Sequence, residues 1–135
     1  MNNKEYLRRA YDINRRLKAR RIRLAYLKSL VGTMNHEMSD IPRSSPLFTS
    51  QMEELAIRIV DLESAIAKDE EDLQRARKEI SESIRALGNE NYASILQMRY
   101  LDYMDWMDIM RSMDYCRSYL YKLHGRAIQM VRQKT

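Results

Sequence analysis

This chain of 135 residues has one cysteine, two prolines, three glycines, one tryptophan and one phenylalanine. A single Cys116 excludes an internal disulfide framework and fits a reducing compartment. So little Gly and Pro, at 44% apolar content, argues against a β-sandwich or barrel, which needs frequent turns. No apolar run approaches the ~18 residues that a membrane span requires. The opening MNNKEYLRRAYDI lacks the apolar core of a signal peptide, so a cytoplasmic protein is expected. Nor is there a phosphate-binding loop, a nucleophile beside a base, or a metal-ligand spacing. The run Asp69-Glu70-Glu71-Asp72 has no partner group that would make it catalytic, and reads as a helix surface. His36 and His124 are distant in sequence and the lone Cys116 adds no third ligand. Neither an enzyme nor a cofactor is expected.

Charge is abundant and uneven. Residues 1–31 hold ten Lys/Arg and two acids, a net of +8. Residues 51–87 hold six basic and ten acidic residues, a net of −4, and the whole chain comes to +5. Apolar residues recur in both segments at steps of three and four. The first row is Tyr6, Ala10, Ile13, Leu17, Leu24, Leu27 and Val31, interrupted by Arg20. The second is Met52, Leu55, Ile59, Leu62, Ile66, Leu73, Ala76, Ile80 and Leu87, interrupted by Asp69 and Ser83. A mean spacing near 3.5 is the coiled-coil signal. It predicts an antiparallel helical hairpin over 1–87, with helices at about 3–31 and 51–87. Opposite charge favours the pairing, although each exposed ion pair contributes only ~0.2–1 kcal/mol. Arg20 and Asp69 either meet across the seam or reach separately to water, depending on register. The basic stripe Arg15-Arg16-Lys18-Arg20-Arg21-Arg23 is read first as a solvated face answering the acidic helix, and second as a nucleic-acid contact.

The connection 32–50 carries Gly32 as a candidate C-cap, Pro42 and Pro46 as helix breakers, and Ser50 with Glu53 as a capping box. Its length suggests a cap on the hairpin or partial disorder. After Gly88-Asn89, residues 88–135 break into three shorter helical patterns, about 91–102, 105–113 with Asp105 as N-cap, and 117–133. The second helix, a short turn and the third form a helix-turn-helix pattern. The last 21 residues hold five basic residues and no acid, the charge expected of a helix that enters a DNA groove. With Leu120, Leu123, Ala127, Ile128 and Val131 inside, the outer face carries Arg117, Ser118, Tyr121, Lys122, Gly125 and Arg126. Arg117 can fork onto guanine, while Lys122 and Arg126 suit phosphates. Gly125 permits close backbone approach, to DNA or to a neighbouring helix. His124 reads as partly buried, and the tyrosines around Trp106 mostly as core with amphipathic edges.

ILQMRYLDYMDWMDIMRSMDYCRSYLYKLHGRAIQMV resembles region four of bacterial sigma factors, in the form carried by small phage and prophage regulators of the ArpU/RinA late-transcription type. The start KEYLRRAYDINRRL, the DIPRSSP loop and the YKLHGRA ending resemble a prophage family of uncharacterised proteins over nearly the whole chain. The resemblance implies a wingless sigma-type helix-turn-helix in a bacterial host cell that binds double-stranded promoter-like DNA, RNA polymerase, or both. It makes Trp106 and Ile109 core residues of the motif's first helix, and Arg117, Ser118, Tyr121 and Lys122 the groove-facing start of its recognition helix. Cys116 stands where a capping Ser is usual. Met110 replaces a small residue, and Asp114 replaces the turn Gly; Asp tolerates the left-handed conformation better than most residues. A homodimer suits a two-half-site operator. The alternative is a protein-interaction module or host-protein inhibitor built on the same domain without base readout; a structural hairpin protein is the third.

Overall fold

A computed structural model describes residues 1–37 and 45–133. Among these residues the chain is all-α. Helix α1 spans Asn3–Glu37, α2 Pro46–Arg85, α3 Glu90–Leu96, α4 Trp106–Met113 and α5 Arg117–Met130. A π-helical turn, Gln97–Leu101, follows α3 directly. None of these helices is long and apolar enough to cross a membrane. By their contacts the residues form two compact units: a terminal unit of Met1–Asn14 with Asp72–Thr135, and a middle unit of Arg15–Glu71.

Within each unit α1 and α2 pack together antiparallel, and the three-four rows form the seam. In the middle unit the buried positions are Leu17, Leu27, Phe48, Leu55, Ile66 and Asp69. Arg16 and Arg20 both donate to the Asp69 carboxylate, Arg16 at 2.9 Å, so the seam acid and seam arginine do meet. Arg21 pairs with Glu70 at 2.9 Å. Half of the basic stripe thus answers the acidic helix. Burial alone would raise the Asp69 carboxyl, but hydrogen bonds and charge from Arg16 and Arg20 outweigh it and hold it below its ordinary value.

In the terminal unit, Tyr6, Leu7, Ala10, Ala76, Ile80 and Ile84 share one core with Leu96, Tyr100, Leu101, Ala127 and Val131. The other seam interruption, Ser83, is buried: its hydroxyl lies 3.0 Å from the Tyr6 hydroxyl and donates to the Arg132 carbonyl. The Asn3 amide donates to the carbonyls of Ile128 and Val131 at 2.8 and 3.0 Å, satisfying acceptors that a helix end leaves open.

Three boundaries differ from the sequence expectation. Gly32 is not a C-cap; α1 runs on to Glu37. Ser50 is not an N-cap, because α2 starts at Pro46, whose fixed φ suits a first helical position, with Ser45 Oγ accepting from the Phe48 N–H. Helix α5 stops at Met130, not 133: Val131 turns extended where Asn3 takes up the carbonyls. Pro42 and most of the DIPRSSP loop lie outside the described residues.

Candidate nucleic-acid interface

Helices α4 and α5 are set by their caps. Asp105 is the N-cap of α4, accepting from the Asp108 N–H at 2.8 Å. Asp114 ends α4 at φ 55°, ψ 43°, a left-handed conformation in which its N–H returns to the Met110 carbonyl. Glycine adopts that conformation most readily, and aspartate tolerates it better than most other residues. Cys116 occupies the N-cap of α5 without a capping hydrogen bond; its Sγ lies 3.6 Å from Ser118 Oγ. The Ser118 hydroxyl holds the exposed thiol below its ordinary value. Beneath the turn, Ile95, Ile109, Leu120 and Leu123 form a second core, with Trp106, Met110 and Met113 packed on it. The bulk of Met110 is therefore accommodated inside the motif, by an unbranched side chain that adapts to irregular space.

Arg117, Ser118, Tyr121, Lys122, Gly125 and Arg126 are all exposed, on the side of α5 away from Leu120, Leu123 and Ala127. Among the described residues, no carboxylate pairs with Arg117, Lys122 or Arg126. The face therefore presents unanswered positive charge together with one aromatic ring. Tyr121 packs edge-on against Trp106 with centroids 5.2 Å apart, which fixes its direction. A Cβ built on Gly125 meets nothing within 4 Å, so the glycine is not demanded by packing within the chain.

His124 sits one step inward, as expected. Its Nε2 lies 2.7 Å from the Tyr100 hydroxyl, and its ring stands edge-on to Trp106 at 4.7 Å. Burial, with added repulsion from Lys4 and Arg99, lowers its pKa to about 4. Burial likewise raises the Tyr100 hydroxyl to about 12, against the pull of Arg99 and Arg8.

Sequence reasoning missed one assembly. The π-helical turn after α3 brings Arg99 and Tyr100 beside Lys4, Arg8 and Tyr11 of α1 and Trp106 of α4. Nothing in the spacing signals it, since Arg8 and Arg99 are joined only through the fold. Among the described residues, no cluster of three His, Cys, Asp or Glu could hold a metal ion.

Comparison with curated proteins and with solved structures gave no match. A family model described as a protein of unknown function, DUF1492, matches residues 49–132, from the first turn of α2 to just beyond α5. With that match covering more than half of the sequence, the chain belongs to the DUF1492 family.

Proposed function

We propose that this protein is a phage-type transcriptional regulator that binds double-stranded DNA through α5, with α4 and the Asp114 turn as the supporting half of a sigma-like helix-turn-helix. The observation that carries the reading is the exposed, unpaired set Arg117, Tyr121, Lys122 and Arg126 on one face of a helix that follows a short capped helix and a tight turn. Arg117 and Tyr121 stand near the N-terminus of α5, the end that reaches base edges in such motifs; Lys122 and Arg126 are placed for phosphates. Cytoplasmic action in the bacterial host, contact with RNA polymerase and assembly as a homodimer belong to this reading.

The test is duplex binding followed by fluorescence anisotropy as salt is raised. Five phosphate contacts would weaken binding by roughly 10²–10³-fold between 50 and 200 mM salt. Arg117→Ala with Lys122→Ala should lower both the affinity and the salt slope, the slope by about one for the Lys122 phosphate contact. Unchanged binding by the double variant would overturn the assignment.

A second reading rests on a separate observation: Met107, Tyr119, Tyr121 and Met130 are large apolar side chains left exposed on α4 and α5. Aromatic and Met side chains suit a protein partner as well as DNA. A host protein recovered stoichiometrically from nuclease-treated lysate, and lost with Tyr119→Ala, favours that reading.

A further inference from the structure

Six side chains from three stretches of the terminal unit line a cleft of about 100 Å³: Lys4, Arg8 and Tyr11 of α1, Arg99 and Tyr100 of the π-helical turn, and Trp106 at the start of α4. Three of the six are cations and none is a carboxylate. Among the described residues the Lys4 side chain makes no hydrogen bond or ion pair. Arg8 has Asp12 one turn away at 3.8 Å, with both side chains about half exposed, so the pair is weak. Arg99 donates from Nη1 to the Met104 carbonyl at 3.0 Å, which anchors the guanidinium and leaves most of its donors unused. Cations gathered around one small space repel each other unless an anion answers them. His124, just behind Tyr100 and Trp106, already registers that field from Lys4 and Arg99.

The aromatic walls say what the ligand is not. Arg8 lies 5.4 Å from the Tyr11 centroid and Arg99 lies 4.7 Å from that of Trp106. His124 stacks on Tyr100 at 5.8 Å and meets Trp106 edge-on. The rings already hold cations and the imidazole, so they serve as walls and not as open platforms for a base. What the cleft lacks is negative charge. We propose that it binds a phosphate group, either as free phosphate or as the phosphodiester of a nucleic-acid strand, with the Arg99 fork facing two oxygens and Lys4 and Arg8 neutralising the charge. The inference stands without the α5 reading. It also connects to it, because Trp106 forms one wall of the cleft and packs against Tyr121 on the outer face of α5. A strand phosphate seated here would lie beside the groove-facing side chains.

Trp106 is the only tryptophan in the chain, so its fluorescence reports on the cleft directly. Inorganic phosphate is titrated into the full chain at constant ionic strength, with chloride as the balancing anion. A saturable change is expected, with sulfate competing. Lys4→Gln with Arg8→Gln, at two exposed positions, should weaken phosphate at least tenfold with the helical circular dichroism unchanged. No saturable change in the wild type, or equal affinity in the double variant, overturns the proposal. A duplex arm separates the sources. Competition between phosphate and duplex identifies a strand phosphate; phosphate binding that leaves duplex affinity untouched identifies free phosphate. Arg117→Ala with Lys122→Ala should leave the phosphate titration as it was, so failure of the groove reading and failure of the cleft are told apart.

Discussion

The two compact units contain the same helix pair at the same heptad spacing, yet they bury it differently. In the terminal unit Ala10 and Ile80 are wholly enclosed, and so are Leu7 and Ile84, which lie off the heptad row. In the middle unit Leu24, Ile59 and Leu62 are on the row and remain half-buried, while Ile22, Tyr26, Ile57 and Val60 are exposed. The difference is a third side. Leu96, Tyr100, Leu101, Ala127 and Val131 close over the helix pair in the terminal unit; two helices alone bury one narrow stripe. The polar interruptions follow the same logic. Asp69 keeps its charge because two partly exposed guanidiniums connect it to water, whereas Ser83 is neutral and satisfied inside the core. A heptad identifies the residues that face the partner helix. It does not say whether that pair will be covered.

The strongest way to break this contrast is to truncate the same seam of α2 in both units. Ile80→Ala should cost about 2–5 kcal/mol, since an enclosed site cannot collapse around the missing atoms. Leu62→Ala, at a half-buried position, should cost about 1 kcal/mol. Urea denaturation followed by circular dichroism measures both. Equal losses would mean that the third side contributes nothing to the terminal unit.

Acid should separate the units next. The folded pKa of His124 is lowered to about 4 from an ordinary 6.5, so between those values the unfolded chain binds the extra proton. Stability of the terminal unit is therefore complete above pH 6.5 and falls as pH drops towards 4. The loss amounts to about 2 kcal/mol after allowance for partial contact with water. Asp69 is lowered from 3.8, so its contribution to the middle unit is lost only as pH falls below that value. Amide hydrogen exchange at pH 7, 5 and 3 should show residues 72–133 loosening before residues 15–71. Simultaneous loosening at pH 5 would sink this assignment of the two groups.

Much of this contrast is written in the sequence, but not all. No residue of either row, including Arg20, Asp69 and Ser83, is left exposed, because the periodicity that sets the buried side of a helix is local. The start of α4 after Asp105 was legible from capping chemistry, and that of α5 at Arg117 from the periodicity of its apolar row. The π-helical widening at Gln97–Leu101 was not legible. Residues 91–102 read as one amphipathic helix, and the π-helical turn depends on tertiary contacts such as Arg99 donating to the Met104 carbonyl and Arg77 donating to the Leu101 carbonyl and Tyr103 hydroxyl. The cleft depends on that turn and on the N-terminus of α1 arriving beside it. The heptads end at Leu87, but the core does not: Leu7 and Ile84 are buried against residues that follow that point.

The smallest expected effect gives the closest test of what distinguishes the units in function. Gly32 of α1, in the middle unit, and Gly125 of α5, in the terminal unit, both lie within helices, and a Cβ at either meets nothing within 4 Å. Helix propensity then favours alanine at both sites by about 0.5–1 kcal/mol, raising the melting temperature by a few degrees each. On stability alone the two substitutions should be twins. They should differ in duplex binding, because only Gly125 shares a face with Tyr121, Lys122 and Arg126. If the α5 backbone approaches DNA closely, Gly125→Ala weakens the duplex several-fold while Gly32→Ala leaves it unchanged. If both variants gain stability and neither loses affinity, the glycine is no part of the interface, and the groove contact rests on the first two turns of α5 from Arg117 to Lys122. A melt and an anisotropy titration of the same two proteins decide it.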